Sequence, residues 1–123
     1  MMSESLADVL KRISQKAYSQ FPVYDGERFR GLLTENGITR WLAHHVAKEL
    51  SLVELEEVPV RNILPEEEKR KNWMFAPRTK TVDEVTALFG ANELLEAILI
   101  TETGNHSERL MGIATRWDVL QPR

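Results

Sequence analysis

Thr115 and Asp118, three residues apart, are the side chains of this sequence whose types and spacing best suit ligand chemistry. The apolar run at residues 110–114 has the length of a strand, and apolar residues follow at helical spacing, so a helix should begin between them. The first N–H groups of a helix have no partner within it, and together with a hydroxyl they bind phosphate. A carboxylate one turn later accepts hydrogen bonds from a pair of sugar hydroxyls. The same two residues also suit a plain capping box, so their spacing alone leaves both functions open.

The sequence contains this unit twice. Residues 29–34 (Phe-Arg-Gly-Leu-Leu-Thr) correspond to residues 110–115 (Leu-Met-Gly-Ile-Ala-Thr). Upstream, two further pairs of blocks correspond in the same order, namely 21–25 with 98–102 and 5–9 with 81–85. Three blocks in one order indicate an internal duplication. The extra residues of the second copy fall at 103–109, where a loop tolerates insertion.

The first copy predicts a helix, a hairpin and a second helix. Apolar residues at i, i+3, i+4 and i+7 predict an amphipathic helix at 5–16, with Ser5 as its N-cap. Strands at 21–24 and 29–34 flank an Asp25-Gly26 turn, which is typical of a hairpin. A helix whose apolar face runs from Ile38 to Val46 and includes Trp41 follows.

The second copy predicts a strand before its helix. Residues 73–76 form a short apolar strand, and Thr81 with Glu84 forms a capping box that opens a helix at 82–89. Strands at 98–101 and 110–114 and a helix at 116–120 complete the copy. Between the copies, alternating apolar and acidic residues with Pro59 predict an extended segment at 58–64. A short solvated helix should begin at Pro65 and end near residue 72.

Composition narrows the class of protein. A chain of 123 residues predicts one domain, and the net charge of −3 leaves no basic stripe for nucleic acid. The absence of cysteine excludes disulfides and thiolate metal sites. We find no signal peptide and no apolar run of membrane-spanning length, so a cytoplasmic protein without membrane attachment is expected. The sequence also lacks a phosphate-binding Walker loop and a catalytic Cys, His and Asp constellation, which argues against an enzyme.

The repeated order of helix, strand, hairpin and a strand that ends Gly-h-h-Thr-x-x-Asp (h is apolar) resembles a tandem pair of CBS domains, named after cystathionine β-synthase. The resemblance covers nearly all of residues 1–123 and implies an α+β fold of two βαββα-like repeats packed about a pseudo-two-fold axis. It places the first repeat at 3–50, a linker at 51–72 and the second repeat at 73–121. Alignment of the copies indicates that the first repeat lacks its opening strand before Met1.

The resemblance implies a regulatory module without catalysis or a required cofactor. Such pairs typically bind AMP, ADP, ATP, S-adenosylmethionine or cyclic di-AMP between their repeats and modulate a partner protein, which the sequence does not identify. They commonly form homodimers through their helices, and a monomer of 123 residues is expected to struggle to cover apolar residues such as Trp41 on the helix at 38–46. The alternative is a degenerate pair that binds no ligand and serves as a dimerising scaffold.

The resemblance also implies two sets of ligand residues, one for each cleft between the repeats. In the first copy Gly37 stands where the acid is expected and Asn36 lies one residue early, so we favour the cleft that contains Asp118. That set comprises Tyr18, Ser19, Gln20, Phe21, Pro22, Gly112, Thr115, Arg116 and Asp118. The second set comprises Thr34, Asn36, Arg78, Thr79, Lys80 and Ala97.

Overall fold

Helices and strands follow one another along the chain largely where apolar periodicity places them. The computed structural model describes residues 2–16, 19–46, 57–68 and 71–120. Its helices are α1 (Leu6–Lys16), α2 (Glu35–Val46), α3 (Val60–Glu68), α4 (Val82–Ala91) and α5 (Arg116–Leu120). Its strands are β1 (Gln20–Asp25), β2 (Arg28–Thr34), β3 (Trp73–Pro77), β4 (Ala97–Thr101) and β5 (Gly112–Thr115). The predicted α+β class is confirmed, and the chain divides into two compact units, residues 1–69 and 70–123.

Unit 2 (residues 70–123) has the βαββα order that the sequence predicts. Its sheet has the order β3-β4-β5, with β3 parallel to β4 and β5 antiparallel to β4. Thr81 and Glu84 form the predicted capping box at the start of α4. The buried side chains of α4, Val85 and Phe89, pack with Ala76 and Ile98 of the sheet to form the core.

Unit 1 (residues 1–69) contains the predicted hairpin of β1 and β2. Gly26 adopts φ +62 in the turn, a left-handed conformation that glycine reaches without steric cost. Ser5 accepts a hydrogen bond from the N–H of Asp8 at 3.2 Å, as expected of an N-cap. The core combines Leu6 and Val9 of α1 with side chains from both strands, from α2 and from residues 58–64.

The segment after α2 differs from its prediction. Residues 58–64 are not extended, because α3 begins at Val60, and Pro65 lies inside this helix rather than at its first position. Val60, Ile63 and Leu64 are at most 2% exposed and belong to the core of unit 1. Their spacing of i, i+3 and i+4 is that of an apolar helical face, and burial of that face outweighs the hydrogen bond that Pro65 removes.

The internal duplication is visible in the strand registers. Gln20 pairs with Thr34 as Ala97 pairs with Thr115, and Val23 pairs with Gly31 as Ile100 pairs with Gly112. Strands β1 and β2 are therefore the counterparts of β4 and β5. Among the described residues, unit 1 has no strand before α1 that would correspond to β3.

The tryptophans occupy different environments. Trp41, expected on a helix face that a monomer struggles to cover, is only 5% exposed and stacks on His45 with ring centroids 4.0 Å apart. That expectation is wrong, because α2 turns this face into the core of unit 1. Trp117 on α5 is 72% exposed.

Within the described ranges, no helix combines the length and apolarity that a membrane crossing requires.

Candidate functional site

Thr115 and Asp118 form a reciprocal pair at the junction of β5 and α5. The N–H of Thr115 donates to Oδ2 of Asp118 at 2.8 Å, and the N–H of Asp118 donates to Oγ1 of Thr115 at 3.3 Å. The pair is therefore a complete capping box. Asp118 is nevertheless exposed to solvent and Thr115 half-buried, so the carboxylate is accessible to a hydroxyl donor from outside the chain. Gly112, the first residue of β5, is half-buried, and a Cβ added to it would meet no atom within 4 Å.

Arg116, predicted to lie near a ligand phosphate, is held by α4. Its Nη2 donates to the carbonyl oxygens of Asn92 at 2.6 Å and Leu95 at 3.1 Å, and its guanidinium lies 5.3 Å from the centroid of the Phe89 ring. These carbonyls lie at and just beyond the C-terminus of α4, where a cation is favourable. A ligand can engage only the remaining N–H donors of Arg116 unless these bonds break.

At the corresponding junction of β2 and α2 in unit 1, the threonine and the residue three positions later are both buried. The N–H of Gly37 donates to Oγ1 of Thr34 at 3.0 Å, so the threonine caps α2 as Thr115 caps α5. Thr34 is only 2% exposed, and Gly37 is also buried. Asn36 is exposed, one residue before the position that Asp118 occupies in unit 2. The two copies thus differ in access as well as in the missing acid.

The unit 1 members of the favoured set lie at the start of β1. Ser19 donates through its hydroxyl to Oε1 of Gln20 at 2.8 Å, and the carbonyl oxygen of Ser19 accepts the N–H of Glu35 at 3.1 Å. Phe21 is buried and Pro22 half-buried. Tyr18 lies outside the described residues. These residues and the Thr115 pair lie in different units, so a shared ligand is part of the proposal below.

In the second set of predicted ligand residues, two members form ion pairs and one is buried in the sheet. Arg78 donates from Nε to Oε1 of Glu102 at 2.9 Å, and Nζ of Lys80 lies 3.7 Å from Oε2 of Glu84. Thr79 is exposed, and Ala97 is fully buried beside Thr115 in the sheet. The two cations of this set therefore already face carboxylates.

The loop between β4 and β5 is more ordered than a tolerated insertion would suggest. Oε1 of Glu108 accepts hydrogen bonds from Thr101, from both the N–H and the hydroxyl of Thr103, and from the N–H of Asn105. Hydrogen bonds from Thr103 are the main cause that lowers the pKa of Glu108. A surface cavity of about 570 Å³ opens beside this loop, lined by Glu102, Glu108, Arg109, Leu110 and Met111. Sequence reasoning missed this loop, although Thr, Asn and Glu within eight residues were a signal for side-chain capping of a turn.

The adjacent histidines have separate environments. Nδ1 of His45 donates to the carbonyl oxygen of Trp41 at 2.9 Å if that nitrogen carries the proton, while His44 is exposed. In the part of the chain that the structure describes, no three residues among His, Cys, Asp and Glu are grouped so as to hold a metal ion.

Comparison with known proteins identifies the fold. The family model of the CBS domain matches residues 2–44. A protein of Burkholderia ambifaria, described as a signal-transduction protein with CBS domains, has a TM-score of 0.68 at 19% identity, covering 97% of this chain and 76% of that chain. A CBS-domain-containing protein of Agrobacterium tumefaciens has a TM-score of 0.68 at 18% identity, covering 96% and 82%. A Methanocaldococcus jannaschii protein, described as a candidate archaeal homologue of g-AMPK, has a TM-score of 0.70 at 19% identity, covering 97% and 41%.

A comparison with curated protein sequences gives no significant match. The structural similarity at this low identity establishes the fold, and the family match covers the first copy of the duplicated unit. Residues 2–44 thus match the CBS domain family, and the whole chain has the α+β fold of CBS-domain proteins.

Proposed function

We propose that the chain is a regulatory CBS-pair module that binds an adenosine-containing ligand through Thr115 and Asp118. The observation that carries the proposal is the contrast between the two copies of the same strand–helix junction. One copy keeps an acid whose carboxylate is exposed, while the other has a buried threonine and a buried glycine. The strand–helix junction therefore offers an acid to a hydroxyl from outside the chain in one copy only, as a ligand site in a single cleft requires.

The chemistry suits a ribose. An exposed carboxylate accepts hydrogen bonds from two neighbouring hydroxyls, and such charge-assisted bonds contribute about 1.5–3 kcal/mol each. AMP, ADP, ATP, S-adenosylmethionine and cyclic di-AMP all carry adenosine, and the first residues of β1 are the proposed contacts for the base. The ligand acts on a partner protein only through its different affinities for the conformations of the module.

Two similar structures support a regulatory role. One is described as a signal-transduction protein and the other as a candidate homologue of g-AMPK. We therefore propose no catalytic turnover, in particular no hydrolysis of ATP. Hydrolysis that persists through purification and disappears on mutation of one residue of the chain would overturn this part.

The completed cap favours a second candidate, a scaffold without ligand. Asp118 already accepts a backbone N–H, and Arg116 already binds the carbonyls that follow α4. A melting-temperature screen against the five ligands separates the two candidates. At about 100 times its dissociation constant, a ligand should stabilise the chain by about 2.7 kcal/mol. No shift with any of the five favours the scaffold.

We also propose a homodimer, on grounds other than the helix face that carries Trp41. Trp117, Val82 and Leu94 are each more than half exposed, while Trp41 is buried. Exposed apolar groups of this size favour self-association. Sedimentation equilibrium should give the dimer mass at micromolar concentration, and a monomer throughout would refute this proposal.

A further inference from the structure

Arg116 joins the proposed ligand site to the end of α4. It is the first residue of α5 and lies between the threonine and the acid of that site. Its Nη2 donates to the carbonyl oxygens of Asn92 at 2.6 Å and Leu95 at 3.1 Å. Its guanidinium also lies 5.3 Å from the centroid of the buried Phe89 ring. One side chain therefore connects the site to α4 and to the turn that follows it.

The turn after α4 is a fixed anchor for this side chain. The N–H of Leu95 donates to the carbonyl oxygen of Asn92 at 3.1 Å, and Nδ2 of Asn92 donates to the carbonyl oxygen of Leu88 at 3.1 Å. Leu95 itself is buried. Carbonyls at the C-terminus of a helix need donors from outside the helix, and a cation is favourable there. The charge-assisted hydrogen bonds from Arg116 meet both requirements.

Helix α5 needs such an anchor. It has five residues, and isolated helices of this length are not stable in water. Of its first three residues, Trp117 and Asp118 are exposed and only Arg116 is half-buried. The hydrogen bonds of Arg116 therefore hold the start of α5 against α4 and fix the direction in which the Asp118 carboxylate points.

The junction of β5 and α5 is poorly suited to a phosphate. The capping box already occupies the N–H groups of Thr115 and Asp118. The carboxylate of Asp118 also places a negative charge there, which repels a second one at short range. For Arg116 to bind a phosphate through Nη2, it would have to release two carbonyl oxygens and leave them without this donor.

The other cations in the described part of unit 2 do not offer a substitute. Arg78 and Lys80 face carboxylates, and Lys71 lies 5.1 Å from the centroid of a tryptophan ring. Arg109 precedes β5, whereas the capping box follows it, so the two lie at opposite ends of this strand.

We propose that Arg116 is a positioning residue that fixes the Asp118 carboxylate for a ribose, and that this junction recognises the nucleoside part of its ligand and not a phosphate. This role rests on the proposed function and deepens it, because it names the part of an adenosine-containing ligand that unit 2 binds. The 5′-phosphate of a nucleotide gains no affinity from Arg116.

Titration calorimetry with adenosine and with AMP separates positioning from phosphate contact. In Arg116→Ala, both ligands should weaken by the same factor, at least about threefold, so that the ratio of their dissociation constants stays that of the parent. A cation that contacts the phosphate would instead cost AMP at least about tenfold more affinity than adenosine. Arg116→Lys gives the same comparison in a variant that keeps the charge but lacks the guanidinium fork. Arg109→Ala, which removes an exposed cation at the other end of β5, should leave both affinities unchanged.

Amide hydrogen exchange of the ligand-free chain tests positioning without any ligand. In Arg116→Ala, the amides of Thr115 and Asp118 should exchange at least about tenfold faster, because α5 is no longer held to α4. The amide of Glu84, which has the same place in the capping box of α4, should keep its rate, whereas a general loss of stability would accelerate all three.

Four results overturn the proposal: a larger loss of affinity for AMP than for adenosine, unchanged affinity for both, unchanged exchange at Thr115 and Asp118, or equal acceleration at Glu84. Failure of both adenosine and AMP to bind the parent refutes the proposed function instead, and with it the choice of the nucleoside. The exchange rates then decide the positioning role of Arg116 by themselves.

Discussion

Truncation of Ile63 tests whether α3 is part of the folded core of unit 1. Ile63 is fully buried, and Ile63→Ala removes three carbon atoms. At about 0.8 kcal/mol for each buried methylene-sized group, the transfer loss is about 2.4 kcal/mol. An unfilled cavity adds to this, so we expect a loss of about 2.5–4 kcal/mol in the free energy of unfolding. Asn62→Ala, one residue earlier on the exposed face of α3, should change it by less than about 0.5 kcal/mol.

Urea unfolding followed by tryptophan fluorescence can assign this loss to unit 1. Trp41 is the probe, because it is buried in unit 1, and Trp73→Phe with Trp117→Phe leaves it as the single tryptophan of the chain. The transition of Trp41 should move to lower urea in Ile63→Ala and stay in place in Asn62→Ala. If both variants unfold at the same urea concentration, α3 is a linker and its assignment to the core is refuted.

Two further predictions concern the loop between β4 and β5. Gly104 has φ +87, and an added Cβ would lie 3.1 Å from the backbone nitrogen of Pro77, so Gly104→Ala should destabilise the chain by about 1–3 kcal/mol. At Gly90, a helical position, an added Cβ would meet no atom within 4 Å, so Gly90→Ala should stabilise the chain by about 0.5–1 kcal/mol. An equal loss of stability in both variants, measured by thermal unfolding, would contradict these predictions. Hydrogen bonds from Thr103 lower the pKa of Glu108, so its contribution to loop stability is present above the ordinary pKa of 4.5 and lost as pH falls through the lower folded pKa. After correction for the intrinsic exchange rate, amide exchange at Gly104 should therefore accelerate on acidification in the parent. In Glu108→Gln the corrected rate should not change with pH. Identical pH profiles of the two proteins would exclude a contribution of the Glu108 carboxylate to loop stability.

The sequence was sufficient for the elements that depend on local pattern. The Thr81 and Glu84 capping box and the Asp25-Gly26 hairpin follow from short-range chemistry, and the structure has both. The duplication was also predictable, because matching blocks impose matching strand registers. The prediction of a helix that begins at Pro65 is wrong, because the helical spacing of Val60, Ile63 and Leu64 is a stronger signal than the preference of proline for a first helical position.

Contacts between distant residues could not be predicted. Nothing near Arg116 in the sequence indicates that its guanidinium binds carbonyls at Asn92 and Leu95. The burial of Trp41 and the exposure of Trp117 likewise depend on which helix face meets a core. Each tryptophan lies on a helix that follows a strand ending in threonine, so only the packed unit distinguishes them.

The most direct test of the central claim is equilibrium binding of the tightest adenosine ligand to the parent, Asp118→Ala and Glu84→Ala. Glu84 occupies the same capping-box position in α4 as Asp118 in α5, so both variants lose a first-turn acid and its cap. Each should lose a similar, modest stability, about 0.5–2 kcal/mol. Asp118→Ala should weaken the ligand at least tenfold, about 1.4 kcal/mol, while Glu84→Ala should bind as the parent does. Equal affinity of all three proteins would show that the Asp118 carboxylate is only a helix cap.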